Sequence, residues 1–216
     1  MRVVVASGVR PVEAGLMAAM RRARSCLARL LESLRGTGGV LLLVGDLCYS
    51  TLVEEALSGW DDVVLGVPGA LDDHHVARIL EERGALLEGG LVYLGGGIHA
   101  GAVSGREPAG SARALLEAGR LELLASYLLP PQLARLGGGQ AWTSELVGKI
   151  IESTAPALVV VGSLCPSPAV ARFRETVLLC PGTLSEGCVG VAELRDGAVE
   201  RAEVVCLAEP EHYCTA

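Results

Sequence analysis

A chain of 216 residues, half of them hydrophobic, is long enough for one α/β domain with a full core and too apolar to be disordered. The formal net charge of −7 argues against a broad nucleic-acid surface, which needs a basic face. No run is apolar enough to span a bilayer, and the opening MRVVVASGVR lacks the long apolar segment and cleavage site of a signal peptide, so a cytoplasmic protein without membrane contact is expected.

Residues 3–6 read as a buried strand at the very start, followed by a helix over 12–35 whose Leu16, Met20, Leu27, Leu30, Leu31 and Leu34 form a stripe for packing on a sheet. Residues 36–39 (Gly-Thr-Gly-Gly) end it. Strands follow at 40–44 and 63–66, with short helices at 52–57 and 73–83. Residues 91–94 read as a strand running into Gly95-Gly96-Gly97, and 103–110 as a loop. A helix at 112–117, a strand at 121–125, a helix at 143–153 and a strand at 158–161 complete the βα part. The end changes character: strands at 177–179, 189–194 and 199–206 form a meander, with Asp196-Gly197 a strong hairpin signal. Together these predict an α/β fold, a two-sheet β-sandwich flanked by helices, in one domain over 1–207 with a loosely held tail at 208–216.

Composition adds two expectations. The chain has no Asn and only Gln132 and Gln140 as amides, a thermophile trend, while Lys149 is the lone lysine among many arginines. Its seven cysteines form no CxxC pair, so zinc knuckles have little support. They read as small buried hydrophobes, with one or two disulfides expected of a hyperthermophile source and no pairing that spacing can choose.

Ligands of α/β folds gather at the carboxyl ends of strands. There the chain shows Ser7-Gly8-Val9-Arg10, Gly45-Asp46, Pro68-Gly69-Ala70-Leu71-Asp72, Tyr127 before Pro130-Pro131, Gly162-Ser163-Leu164-Cys165 and Pro181-Gly182. In order and spacing this skeleton resembles the calcineurin-like metallophosphoesterases over residues 1–205. Their pattern is Ser-Asp-x-His-Gly, Gly-Asp, Pro-Gly-Asn-x-Asp, a His near Pro-Pro, Gly-His-x-His and Asn-Pro-Gly-Ser. The resemblance implies a metallophosphoesterase-like, four-layer αββα sandwich. It also implies an ancestral chemistry in which two metal ions clamp the attacking and leaving oxygens of a phosphoester.

The residues for that chemistry are mostly replaced. Gly8 stands for the first Asp, Arg10 for its His, Ala70 for the Asn, and Leu71 for the His that assists the leaving group. Tyr127, Ser163 and Cys165 stand for the later histidines. Asp46, the bridging carboxylate, is the one ligand kept, and a lone carboxylate cannot hold two divalent ions. No cofactor is therefore expected; the alternative is a divalent Mn, Fe or Zn at Asp46.

Arg10 is expected to fill part of the vacated site and pair with Asp46, directly or through water. Either the pair simply fills the hole, which is the preferred reading, or it leaves an anion site for a group such as phosphate. Other clusters read as structural. In Asp72-Asp73-His74-His75, Asp72 or Asp73 is a natural helix N-cap. Gly95-Gly96-Gly97 lacks the ending of a phosphate loop, though His99 after it could line the cleft. Trp142 after the 137–139 glycines reads as packing. Ser7, Ser126 and Ser163 sit in no hydrolase motif, and Cys165 as a nucleophile would need a cationic neighbour. The functional expectation is a binding or scaffold protein, as the family's retromer and DNA-polymerase small subunits exemplify. Its partner would be another protein or a second copy. The alternative is a divergent phosphoesterase rebuilt around Asp46, Asp72 and Cys165.

Overall fold

Residues 3–6 are Val-Val-Val-Ala and all four are fully buried, an arrangement that needs a strand covered on both faces. The computed structural model describes residues 1–9, 15–133, 143–162, 165 and 167–206. In it this run is β1 (Arg2–Ser7), with β2 (Val40–Val44) parallel on one side and β10 (Cys188–Arg195) antiparallel on the other. β3 (Val63–Val67) extends the sheet past β2 and β11 (Ala198–Cys206) past β10. The two-residue repeat sorts the side chains. Val3 and Val5 point to a second sheet, while Val4 and Ala6 point to α1 (Leu16–Ser33), α2 (Ser50–Gly59) and α3 (His74–Glu82).

The second sheet runs β4 (Leu91–Tyr93), β5 (His99–Val103), β6 (Leu123–Ser126), β7 (Leu158–Val161), β9 (Thr176–Cys180) and β8 (Ala169–Phe173). Its inner face, with Ala100, Leu123, Ala125 and Val160, closes on the first sheet. Its outer face, with Leu124, Val159 and Leu178, lies under α4 (Pro108–Ala118) and α5 (Glu145–Thr154). The expected four-layer αββα sandwich is thus the architecture of the protein. No helix among the described residues is long and apolar enough to cross a membrane.

Several boundaries differ from the sequence reading. The first helix is described from Leu16, and residues 12–14 of its expected start lie outside the described residues. The expected loop at 103–110 gives way to α4 at Pro108, a residue whose fixed φ suits a first helical position. The cap of α5 is Ser144, which accepts from the Val147 amide at 3.4 Å, one residue after the expected start. Strands β5 and β8 were not expected. Trp142, the 137–139 glycines and the 208–216 tail lie outside the described residues.

The β10–β11 hairpin turns at Asp196 and Gly197, both at positive φ as a tight hairpin turn requires. Leu194 faces Val199 but Glu193 faces Arg201, so Glu200 is an extra residue bulged out of the ladder. That slip places Cys206 opposite Cys188, and the two form a disulfide. A second disulfide joins Cys165 to Cys180.

Leu42 is fully buried between the sheets, whereas Leu116 on α4 is 38% exposed. Leu42→Ala should lower the unfolding free energy in urea by about 2–5 kcal/mol, and Leu116→Ala by clearly less.

Candidate functional site

The loop after β2 is turned sharply, with Gly45 at φ 69° and Asp46 at φ 47°, and this buries the Asp46 side chain to 4% exposure. Positive φ is tolerated by Asp better than by most residues. A buried carboxylate needs donors. Asp46 Oδ1 accepts from the Leu71 amide at 3.1 Å, and Oδ2 accepts from the Tyr127 hydroxyl at 3.2 Å. Tyr127 is the first residue after β6, anchored by its amide on the Val103 carbonyl at 3.0 Å, so this contact joins one sheet to the other.

The Tyr127 ring fits because three residues around it lack side chains. A Cβ at Gly45 would stand 2.5 Å from its Cδ2, one at Gly69 2.9 Å from its Cε2, and one at Gly105 2.7 Å from its Cδ1. Burial first, then the Asp46 charge, pushes the Tyr127 hydroxyl up to about 12, so it remains a neutral donor. On the other side of Asp46, the main chain closes in. The Gly8 amide donates to the Gly45 carbonyl at 3.1 Å and the Val9 amide to the Asp46 carbonyl at 2.8 Å. A Cβ on Gly8 would fall on the Asp46 and Gly45 carbonyls, leaving no room for a carboxylate there.

Asp72 holds the neighbouring loops. Its two oxygens accept from the Cys48 amide and the Gly69 amide, each at 2.7 Å. Burial raises its carboxyl above the ordinary range, opposed by these amide bonds. Cys48, at φ 62°, donates its thiol to the Asp46 carbonyl at 3.3 Å. Burial, then the Asp72 and Asp46 charges, pushes that thiol up to about 11.

The structure thus brings together Gly8, Asp46, Asp72, Tyr127 and the main chain of Leu71, while the Ala70 and Leu71 side chains face solvent. The Tyr127 hydroxyl bonds Asp46. Arg10, expected to pair with Asp46, and Ser163 lie outside the described residues. Cys165 is bonded to Cys180, which removes it as a nucleophile. Ser7 and Ser126 spend their hydroxyls on the Val44 carbonyl at 3.0 Å and the Leu128 carbonyl at 2.7 Å. Asp73 is the N-cap of α3, accepting from Val76 at 3.0 Å. His99 sits at the far end of β5, 3.0 Å from Glu122, and so does not line this cleft. Among the described residues no three of His, Cys, Asp or Glu converge where a metal ion would be held. Sequence reasoning missed Cys48 and Gly105. Cys48 lies two residues after Asp46, so chain neighbourhood was the available signal for it; Gly105 had none.

The two packed sheets between helical layers define a metallophosphoesterase-like fold, a four-layer αββα sandwich. The crystal structure of TT1561 from Thermus thermophilus superposes with a TM-score of 0.68 at 14% identity, covering 95% of this chain and 98% of that one. The solution structure of TM1076 from Thermotoga maritima gives 0.52 at 18% identity, covering 95% and 99%. Vps29 from Chaetomium thermophilum covers 95% and 97% at 12% identity with a TM-score of 0.46, too low to bear on the fold. No protein-family model matches the chain, and no curated protein matches it in sequence.

Removing the Tyr127 hydroxyl takes one donor away from a buried carboxylate. Tyr127→Phe should cost about 1–3 kcal/mol in urea unfolding, with the far-UV spectrum unchanged. The Cys48 thiol should resist iodoacetamide at neutral pH, with labelling read by mass spectrometry rising only as pH approaches about 11.

Proposed function

We propose that this protein is a catalytically degenerate metallophosphoesterase-fold protein that works by binding another protein rather than by cleaving phosphoesters. The observation that carries this reading is the Tyr127 ring, packed among Gly45, Gly69 and Gly105 with its hydroxyl on Asp46, the one metal-ligand position that keeps its carboxylate. The residues present do not fit a pair of divalent ions. Asp46 already serves the Leu71 amide and the Tyr127 hydroxyl, and Asp72 serves two amides. The position of the first metal-binding carboxylate is Gly8, pressed against main chain. Neutral nitrogen and carboxylate donors in sufficient number are what such ions require.

The nearby thiol offers no substitute chemistry, since its raised pKa keeps Cys48 protonated at neutral pH. Fold and function separate readily, and a sandwich whose core does not depend on ions can serve as a rigid platform.

Purified protein incubated with manganese and bis(p-nitrophenyl) phosphate should show no turnover above buffer, and elemental analysis should find manganese, iron and zinc well below one per chain. Turnover that Asp46→Ala abolishes would establish the hydrolase instead.

A further inference from the structure

Helix α1 presents Met17, Met20, Arg21 and Arg24 on one stripe, at spacings of three and four residues. Leu47 from the loop after β2 and Leu52 from the start of α2 stand opposite. Between them runs an open groove of about 180 Å³. That is well below the roughly 300–1,000 Å³ of a small-molecule site and suits an apolar side chain or two. Met17 is 64% exposed and Leu16 beside it 41% exposed, so large apolar groups meet water at its mouth. Methionine walls adapt to anchors of differing shape.

Charge narrows the partner. The chain carries a net −7, yet α1 holds Arg21, Arg22, Arg24 and Arg29 against the single acid Glu32. Arg21 is exposed at the groove and forms none of the ion pairs found among the described residues. Arg24 reaches Glu55 at 2.5 Å while its side chain stays 68% exposed. Guanidinium groups beside an apolar slot match carboxylates beside an apolar anchor.

We propose that this groove docks a segment of a partner protein in which a Leu, Met or Phe anchor is flanked by Asp or Glu. The assignment rests on the binding-protein reading above and names the surface and the partner's chemistry. A bilayer is a poor occupant, because the apolar stripe of α1, with Ala19, Ala23, Leu27 and Leu31, is already buried against the sheet. Nucleic acid wants a broad basic face rather than an apolar slot in an acidic chain.

The test selects displayed random short peptides on the full chain, then measures a synthetic copy of the most enriched one by fluorescence polarisation. Enriched peptides should join Leu, Met or Phe to Asp or Glu. Affinity should fall at least about tenfold for Arg21→Glu and for Met17→Ser, and stay unchanged for Arg113→Glu on α4 in the opposite helical layer, with thermal melts confirming that each variant folds. No enrichment, enrichment without acidic bias, or indifference to Arg21→Glu would overturn the assignment. So would self-association in sedimentation velocity that Arg21→Glu abolishes, which makes a second copy the occupant, or Arg21-dependent pelleting with anionic vesicles. Phosphodiester turnover by the wild type would remove the binding-protein reading while leaving these affinities as measured; failed docking without turnover removes only the groove.

Discussion

The hydroxyl of Tyr127 on the carboxylate of Asp46 couples the two sheets at their strand ends, and the surrounding loops take their form from it. An aromatic ring placed there excludes side chains at Gly45, Gly69 and Gly105, because a Cβ at any of them would overlap the ring. The carboxylate in turn demands donors, which holds the loop after β2 at positive φ and draws the Leu71 amide onto Oδ1. One contact between residues 81 apart in sequence therefore constrains three loops.

Where two metal ions sit between strand-end loops, they also fasten those loops to one another. Here protein atoms do the fastening. Asp46 bonds the Leu71 amide in the loop after β3, and Asp72 from that loop bonds back to the Cys48 amide after β2. Cys165–Cys180 ties the segment after β7 to the end of β9 across 15 residues. A closed loop of that length is worth about 3 kcal/mol in the chain-entropy account, and a hydrogen bond to a charged group about 1.5–3 kcal/mol. Links of this size tie the described strand-end loops to one another.

Much of this was legible in the sequence, for definite reasons. Runs such as Val40–Val44 are apolar at every position because both faces of their sheet are covered, so strands and the layered class follow directly. The positions of Asp46, Asp72 and Tyr127 followed from reading what comes after each strand. The Tyr127 contact to Asp46 did not follow, because it depends on the facing of two sheets and on the glycine slot. Strands β5 and β8 were invisible for another reason. His-Ala-Gly-Ala-Val and Ala-Val-Ala-Arg-Phe carry small residues of weak strand preference and take their form from the ladders beside them. The Cys188–Cys206 pair was nearly legible. Counting out from the Asp196-Gly197 turn sets Cys188 against residue 205, and only the bulge at Glu200 moves Cys206 into place.

That bulge also bears on where association can occur. β11 is a nine-residue edge strand, the sort of edge that invites pairing with another chain. It is blunted by the extra residue Glu200 and by charges along it, with Arg195 on Glu200 at 3.1 Å and Arg201 on Glu203 at 2.8 Å. A strand added there would meet a broken ladder and have to displace these ion pairs. At the same end of the sandwich, β8 offers only five residues. Strand addition is thus disfavoured on this side, while the first turn of α1 keeps Leu16 and Met17 exposed. A helical layer with exposed apolar groups, carried on a sandwich whose long edge resists pairing, suits side-chain recognition better than backbone pairing.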